Sequence, residues 1–222
     1  MKFLESKNSA INPMLDKRLT EEQKEHFKNQ RELTPQLTQV GFEKTKLEDD
    51  TFSTVLEFYN DSKNKFIKED VESESNPYIW RSGSKTDDKW PAWIALNYKF
   101  QEWLVESLQI KHEKWCGFKL EPSMSYGFRK YTRGATLINH IDRYETHVIS
   151  SIINVDQKVD TPWLLWIEDY NSEIHKISMN PGDMLFYESA KLIHGRPDPL
   201  DGDYYVSVFN HYKPEGWYVS GL

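Results

Sequence analysis

The chain has 222 residues, of which 28% are charged and 38% hydrophobic, and its formal net charge is −7. This composition is typical of a folded globular domain and excludes an intrinsically disordered chain. The acidic balance argues against nucleic acid as a partner, because nonspecific phosphate binding depends on an excess of Lys and Arg.

Membrane insertion and cysteine chemistry are also disfavoured. The sequence has no apolar run near the roughly 18 residues of a membrane-spanning helix, and residues 1–15 lack the apolar core of a signal peptide. Cys116 is the single cysteine, which excludes an internal disulfide and a cysteine-based zinc cluster. We therefore expect one domain, residues 1–222, without a membrane partner and in a reducing compartment such as the cytoplasm.

Residues 1–114 are predicted to be rich in helices. Thr20 is placed as the N-cap of a helix that ends near Leu33, with acidic residues in its first turn. Apolar residues recur at helical spacing in two further stretches, which predicts helices over residues 47–68 and 93–108.

A polar, turn-rich segment separates the second and third predicted helices. Residues 72–91 contain many Ser, Asp, Asn, Gly and Pro residues, which predicts a long loop. Long loops in compact domains often cover active sites, so Trp80 and Arg81 are candidates for substrate contact. A solvated connection with Trp80 packed against the domain is the alternative.

From residue 115 onward the pattern changes to short β-strands separated by turns. Residues 180–183, Asn-Pro-Gly-Asp, have Pro and Gly at the central positions of a type II turn. Many short strands at this spacing predict a sandwich or jelly roll over residues 115–214. The predicted strands are Ser125–Tyr131, Val148–Val155, Trp163–Ile167, Ile174–Met179, Met184–Tyr187 and Tyr204–Tyr212.

His140-Ile141-Asp142, together with His194, is the strongest candidate for a metal site. In a strand, alternate side chains share a face, so His140 and Asp142 point the same way and Ile141 points to the other face. Two imidazoles and one carboxylate form a facial triad that suits Fe(II) and leaves coordination positions for other ligands. A zinc hydrolase with His and Asp ligands is an alternative that fits the spacing less well.

Further motifs surround these three residues in chain order. Tyr131-x-x-Gly134 precedes them, and Pro181-Gly182-Asp183 and His194-Gly195 follow. Jointly, these motifs resemble the Fe(II)- and 2-oxoglutarate-dependent dioxygenases, and within them the prolyl 4-hydroxylase-like group. The resemblance covers about residues 115–214, which is under half of the chain.

The resemblance implies a mainly β fold with some α-helix: a double-stranded β-helix, which is a cupin-like jelly roll, buttressed by the N-terminal helices. It implies that His140, Asp142 and His194 bind Fe(2+), and that 2-oxoglutarate and O2 are co-substrates. The implied reaction decarboxylates 2-oxoglutarate to succinate and CO2 and hydroxylates an unactivated C–H bond. Ascorbate is a further candidate cofactor.

The resemblance also implies contacts to 2-oxoglutarate, with one departure from the family pattern. Tyr131 matches a tyrosine that hydrogen-bonds the co-substrate. The Lys or Arg that pairs with its far carboxylate falls here on Tyr204 and Tyr205. We expect Tyr204 to contact 2-oxoglutarate, since a tyrosine can donate one hydrogen bond, but it brings no charge. A dianion in a partly buried site needs a cation nearby, so we expect a cation from elsewhere in the chain.

Three residues are candidates for completing this co-substrate site. Arg129 is the first, because it lies two residues before Tyr131 and therefore shares its strand face. Arg196, two residues after His194, is the second. Ser207 matches the position of a serine that follows the family's basic residue, and we expect it to add a hydroxyl.

The resemblance leaves the substrate open. A prolyl residue in a peptide or protein is the leading expectation, with a free amino acid next. However, residues 160–166 replace a Gly-rich stretch typical of many prolyl hydroxylases. The alternatives are an oxidative demethylase of nucleic acid and a jelly-roll metal-binding module without 2-oxoglutarate turnover.

Of the other histidines, His147 and His211 are candidates for contacts near the metal, and His26, His112 and His175 are expected at the surface.

Overall fold

The computed structural model describes residues 17–71, 78–81 and 90–218. Among these residues, three helices and thirteen strands form. The helices are α1 (Glu21–Leu33), α2 (Asp49–Ser62) and α3 (Tyr98–Cys116). The strands are β1 (Phe42–Lys46), β2 (Ile67–Lys68), β3 (Ile79–Arg81), β4 (Ala92–Ala95), β5 (Leu120–Ser125), β6 (Phe128–Thr132), β7 (Ala135–His140), β8 (Ile149–Val159), β9 (Leu165–Glu168), β10 (Ile174–Ile177), β11 (Asp183–Tyr187), β12 (His194–Arg196) and β13 (Gly202–Pro214).

The strands form two antiparallel sheets. The larger sheet has the order β1-β11-β8-β13-β6-β4-β2, with β5 also paired to β13, and the smaller has the order β10-β9-β12-β7-β3. From β6 to β13 the chain alternates between the two sheets, so strands that are neighbours in sequence often lie in opposite sheets. This arrangement is a jelly roll, and it confirms the predicted fold class.

The two sheets face each other across a hydrophobic core, and the larger sheet is covered on its outer face by helices. Tyr205 and Phe209 of β13 point into the core between the sheets. Val206 and Val208, which alternate with them, pack instead with Phe100 of α3. β13 is therefore buried on both faces, and the buried part includes the polar residues Ser207, Asn210 and His211. None of the described helices is long and apolar enough to cross a lipid bilayer.

Two of the predicted helices have different bounds from those expected. The helix after Thr20 is confirmed, and the Thr20 and Gln23 side chains form a capping box at its start. The second helix ends at Ser62 rather than 68, because residues 67–68 pair with β4. The third begins at Tyr98 rather than 93 and extends to Cys116, since residues 92–95 pair with β6. The Asn97 side chain accepts a hydrogen bond from the N–H of Phe100 and marks the true start.

The predicted loop over residues 72–91 is only partly described. Residues 72–77 and 82–89 lie outside the described residues, and residues 79–81 form β3, which pairs with β7. Trp80 is 43% exposed, and the Arg18 guanidinium lies 5.6 Å from the centre of its ring. Part of this segment is therefore a strand at the edge of the smaller sheet.

The turn at residues 180–183 has the predicted type. The N–H of Asp183 donates to the carbonyl of Asn180 at 2.8 Å, and Gly182 has φ +87°. A positive φ at the third position is the mark of a type II turn and explains the glycine. The turn directs the chain into β11, whose last residue, Tyr187, lies at the site described next.

Candidate metal centre

Two strands of the smaller sheet bring His140 and His194 together. β7 and β12 are antiparallel neighbours, and His140 and His194 are partners in their register. Side chains at such paired positions lie on the same face of the sheet. Their ring centres are 4.6 Å apart.

Asp142 completes the cluster from the loop after β7. Its Oδ1 lies 3.5 Å from Nε2 of His140 and 3.8 Å from Nε2 of His194. All three ligand atoms lie within 4.8 Å of one another. Ligands held at about 2.0–2.2 Å from one divalent ion lie roughly 3–4.4 Å apart, so the three side chains fit around a single ion.

Backbone contacts orient both imidazoles for metal binding. Nδ1 of His140 lies 2.7 Å from the carbonyl oxygen of Ile138, and Nδ1 of His194 lies 2.9 Å from that of Leu192. A carbonyl only accepts hydrogen bonds, so each Nδ1 carries the proton and each Nε2 presents a lone pair. Contacts of this kind fix the tautomer and ring orientation of metal-binding histidines.

The protonation states also suit a cation. Burial lowers the pKa of His194 to about 4, so this imidazole is neutral at pH 7. Burial by itself raises the pKa of Asp142, but the nearby His140 and His194 lower it more, so the carboxylate is ionised. Among the described residues, the buried Oδ2 of Asp142 has no hydrogen-bond partner. A buried carboxylate with an unpaired oxygen, whose other oxygen lies near two imidazole lone pairs, fits a metal ligand.

Gly195 allows β12 to approach β7 closely beside the cluster. A Cβ atom at this position would lie 2.5 Å from Oδ1 of Asn139 and 2.8 Å from the carbonyl oxygen of Leu137. The second contact is with backbone, which cannot rotate away. The distance between the two strands, and with it the position of His194, therefore depends on glycine.

Replacing Gly195 by alanine is expected to weaken Fe(II) binding by at least about tenfold, because β12 must shift and His194 moves relative to His140. Anaerobic titration of the apoprotein with Fe(II) measures the loss. Gly117→Ala is a suitable control, since no atom lies within 4 Å of its Cβ position, although its φ of +77° adds local strain. Unchanged Fe(II) affinity in Gly195→Ala would show that the position of His194 does not depend on the close approach of β12 to β7.

The cluster lies at one side of a cavity of about 190 Å³ between the two sheets. Tyr78, just before β3, stacks on the ring of His140 with centres 4.4 Å apart and planes 13° apart. Tyr187 meets His194 edge-on, with ring centres 4.7 Å apart.

Sequence reasoning missed both tyrosines; Tyr78 lies in the segment interpreted as a loop, and no sequence pattern distinguished it. Other lining residues include Tyr126, Arg129, Arg143, His147, Phe209 and His211.

Arg129 lines this cavity, as its strand face predicted, but it is already paired. Its Nε and Nη2 donate to the Glu69 carboxylate at 2.7 and 2.5 Å, and both side chains are buried. Burial by itself lowers the pKa of Arg129, but Tyr131 and Glu69 raise it above its ordinary value. The arginine is a permanent cation whose charge Glu69 largely neutralises.

Arg196 is buried one layer deeper and does not line the described cavity. It is not a solvent-facing turn residue: its guanidinium lies 4.7 Å from the Trp163 ring centre and 4.5 Å from that of Tyr205. It donates to the carbonyl of Trp163 and, at 3.0 Å, to the hydroxyl of Tyr205. Among the described residues no carboxylate forms an ion pair with it.

The remaining predicted co-substrate residues lie on different faces of their strands. Tyr131 is buried opposite Tyr205 in the β6–β13 register, and Ser207 is buried opposite Arg129. Tyr204 points to the other side of β13, where its hydroxyl donates to Asp156. The placement of Tyr204 therefore does not support a contact with a ligand in the cavity.

The other five histidines differ in burial. His175 is partly exposed, and its Nε2 lies 3.0 Å from Oδ2 of Asp169. His147 and His211 are buried with their ring centres 3.8 Å apart, and both line the cavity that holds the metal cluster. His26 is exposed at the cavity rim. His112 is fully buried between Phe186 and Tyr212, so its expected surface position was wrong. The α3 stripe that carries it faces the core and outweighs its polarity.

No known family model and no curated protein matches the sequence. Among solved structures, the fold is similar to an oxidoreductase of the 2OG-Fe(II) oxygenase family from Burkholderia pseudomallei, with TM-score 0.54 and 11% identity over 78% of this chain and 84% of that one. It is also similar to a Pseudomonas putida prolyl-4-hydroxylase, with TM-score 0.54 and 13% identity over 80% and 95% of the two chains.

A third similar structure carries a different activity. It is the non-heme alpha ketoglutarate dependent epimerase SnoN from nogalamycin biosynthesis, with TM-score 0.53 and 9% identity over 79% of each chain. Identities this low establish a shared fold alone. The chain thus has the jelly-roll fold found in 2OG-Fe(II) oxygenases, including a prolyl 4-hydroxylase.

Proposed function

We propose that this protein is an Fe(II)- and 2-oxoglutarate-dependent dioxygenase that hydroxylates an aliphatic C–H bond. The observation that carries the proposal is the cluster of His140, Asp142 and His194 in the cavity of a jelly roll. Both imidazoles present Nε2 lone pairs toward one ionised carboxylate. Two histidines and one carboxylate are the ligand set of non-heme Fe(II) oxygenases, and they leave positions for a co-substrate.

Bound iron would supply the oxidative chemistry, in which O2 and 2-oxoglutarate yield succinate, CO2 and a hydroxylated product. The protein's part is to hold the ligands and to exclude water. Tyr78 and Tyr187 cover the two histidine rings, which restricts solvent access from those sides. The carbonyls of Ile138 and Leu192 hold both tautomers fixed.

For the co-substrate, we propose that Arg129 receives the far carboxylate of 2-oxoglutarate, with Tyr131 and Ser207 beside it. Arg129 is supported by its position on the cavity wall. The Tyr131 hydroxyl is buried without a hydrogen-bond partner among the described residues, as expected of a group that waits for a ligand. Arg196 is the second candidate, because it is buried without an acidic partner among the described residues.

The Arg129 role predicts a specific kinetic defect. Truncating Arg129 alone would leave Glu69 buried and uncompensated, so the test is the double substitution Arg129→Leu/Glu69→Leu, since apolar replacement of a whole buried pair is often tolerated. We expect the KM for 2-oxoglutarate to rise by at least about tenfold, as loss of a charge-assisted contact costs roughly 1.5–3 kcal/mol. Succinate formation measures it.

Two further variants make the result decisive. Arg133→Ala removes an exposed arginine that pairs with Asp160 and Asp201 outside the cavity, and it should leave the KM unchanged. Arg196→Met tests the second candidate. A raised KM in Arg196→Met, with a normal one in the double variant, would transfer the role from Arg129 to Arg196.

We propose a prolyl residue in a peptide or protein as the substrate, with a free amino acid next. The support is the motif set around the triad and the likeness in fold to a prolyl-4-hydroxylase. A nucleic-acid demethylase is less well supported, because the net charge of −7 opposes phosphate binding. Ascorbate is proposed as a reductant that sustains turnover.

The decisive experiment is reconstitution of the protein with Fe(II) under anaerobic conditions. Addition of 2-oxoglutarate and O2 without substrate should release succinate at a slow, uncoupled rate, and a prolyl peptide should accelerate it. Ascorbate should prolong the reaction. Absence of succinate together with absence of 2-oxoglutarate binding would overturn the proposal.

That negative outcome would favour the second candidate, a jelly-roll metal-binding module without 2-oxoglutarate turnover. One observation supports this candidate: Arg129, the arginine on the inner wall of the cavity, is already paired with a carboxylate. A dianion would have to share Arg129 with Glu69, which costs part of the binding energy. Fe(II) binding without co-substrate binding distinguishes the module from the oxygenase.

A further inference from the structure

A chain of three side chains determines the tautomer of His211, which lies in the same cavity as the metal cluster. Oγ of Ser189 donates to the carbonyl of His147 at 2.6 Å. Oγ of Ser150 lies 2.6 Å from Oγ of Ser189 and 2.7 Å from Nδ1 of His211. All of these side chains are buried, so no bulk solvent competes for their hydrogen bonds.

The direction of these hydrogen bonds follows from the number of protons. A hydroxyl has one proton, and Ser189 uses its proton on a carbonyl, so it accepts from Ser150. Ser150 has then used its own proton, so it accepts from Nδ1 of His211. His211 therefore carries its proton on Nδ1, and Nε2 presents a lone pair.

This lone pair is available to a ligand in the cavity. His211 lines the cavity, and its one ring hydrogen bond among the described residues uses Nδ1. Nε2 therefore has no partner among these residues, and since it is not among the fully buried atoms without one, it faces the cavity space. His211 is not a fourth ligand of the cluster, since the group of ligand atoms within 4.8 Å of one another contains only His140, Asp142 and His194. Burial, with the neighbouring His147, lowers the pKa of His211 well below its ordinary value, which keeps the ring neutral.

The charges around the cavity restrict what the lone pair can accept. Among the described lining residues, Asp142 is the one carboxylate, and Glu69 largely neutralises the charge of Arg129. With a metal ion on Asp142, no carboxylate among these residues would be left to pair with an ammonium group, and a buried charge without a partner is costly. The fitting partner of the lone pair is therefore a neutral donor, either an amide N–H or a hydroxyl.

We propose that Nε2 of His211 accepts a hydrogen bond from a neutral N–H or O–H group of the primary substrate, and that Ser189 and Ser150 hold His211 in the required tautomer. This inference rests on the proposed oxygenase function and specifies its substrate as a neutral or acidic molecule with such a donor. His211 would then help to determine which substrates bind, and the two serines would act on the substrate only by holding His211 in the right tautomer.

The tautomer is tested in the full-length protein labelled with ¹⁵N-histidine and loaded with Zn(II) as a diamagnetic substitute for Fe(II). We expect the Nε2 signal of His211 to have the shift of an unprotonated nitrogen. Ser189→Ala frees the Ser150 hydroxyl to donate to Nδ1, so the Nε2 signal should move toward the protonated value. Ser151→Ala is the matched control, because Ser151 is equally buried in β8 but bonds Asn210 instead.

The donor preference is tested with two small probes that share a prolyl shape. N-acetylproline methylamide has an amide N–H, and N-acetylproline dimethylamide lacks it. Wild-type protein should bind the methylamide about fivefold more tightly, as one neutral hydrogen bond is worth about 1 kcal/mol. In His211→Phe the ratio should fall to about one. N,N-dimethyllactamide and its O-methyl ether, which both lack an N–H, form the corresponding hydroxyl pair.

Several outcomes would overturn the inference. These are a protonated Nε2 in the wild type, an unchanged signal in Ser189→Ala, a preference that persists in His211→Phe, or no binding preference for either donor probe up to its solubility limit. The ring-nitrogen signals and probe binding do not require succinate formation. Failure of the oxygenase function and failure of this inference are therefore observed separately.

Discussion

Asp142→Ala is expected to reduce Fe(II) affinity by at least about 100-fold and to abolish succinate formation from 2-oxoglutarate. Asp142 is the anionic member of the cluster, and its Oδ1 lies within 3.8 Å of both Nε2 atoms. Removing it leaves two imidazoles, which would bind Fe(II) with neither charge compensation nor a third ligand. Fe(II) titration and a succinate assay on the same preparation measure the two losses.

The control for this substitution is His175→Ala. His175 also contacts a carboxylate, with its Nε2 3.0 Å from Oδ2 of Asp169, but it lies on β10 outside the cavity. Its loss should leave Fe(II) binding and succinate formation unchanged. If Asp142→Ala kept wild-type Fe(II) affinity while His175→Ala lost it, the metal would bind near His175, and the assignment to His140, Asp142 and His194 would be wrong.

The second large effect concerns stability rather than chemistry. Glu188, just after β11, is 2% exposed. Its carboxylate accepts hydrogen bonds from the N–H groups of Leu37 and Thr38 at 2.9 and 2.7 Å. It also accepts from the hydroxyls of Thr38 and Tyr170, both at 2.6 Å. One side chain thus joins the segment after α1 to the jelly roll.

Glu188→Ala should therefore lower the free energy of unfolding by about 3–5 kcal/mol, because it leaves four donors, on the buried Leu37 and the partly buried Thr38 and Tyr170, without their acceptor. Urea unfolding measures this change. Glu121→Ala is the control: Glu121 pairs with Lys213 in a partly exposed ion pair, so it should cost less than about 1 kcal/mol. Equal losses in the two variants would mean that the Glu188 contacts contribute little.

Secondary structure was predictable where local signals were complete. Thr20, followed by two acidic residues in the first turn, predicted α1 correctly. The error at the start of α3 came from residues 92–95, whose apolar residues suit a helix or a strand equally well. Their assignment as β4 depends on pairing with β6, which is distant in sequence.

The candidate site was likewise predictable only where local sequence patterns were sufficient. Strand alternation put His140 and Asp142 on one face and Arg129 on the face of Tyr131, and the structure places His140, Asp142 and Arg129 at one cavity. Sequence spacing gave no sign of Glu69, Tyr78 or the chain from Ser189 to His211. These contacts join residues that are near one another only after the sheets have formed.

The sequence alone predicted a sandwich or jelly roll and the candidate metal ligands His140, Asp142 and His194. The strands and the shared face of His140 and Asp142 follow from residue type and periodicity, which are local properties. Only the tertiary structure decided that Arg129 is neutralised by Glu69 and that His211 presents a lone pair to the cavity. Both depend on buried hydrogen bonds between distant segments, whose partners and direction are set by packing.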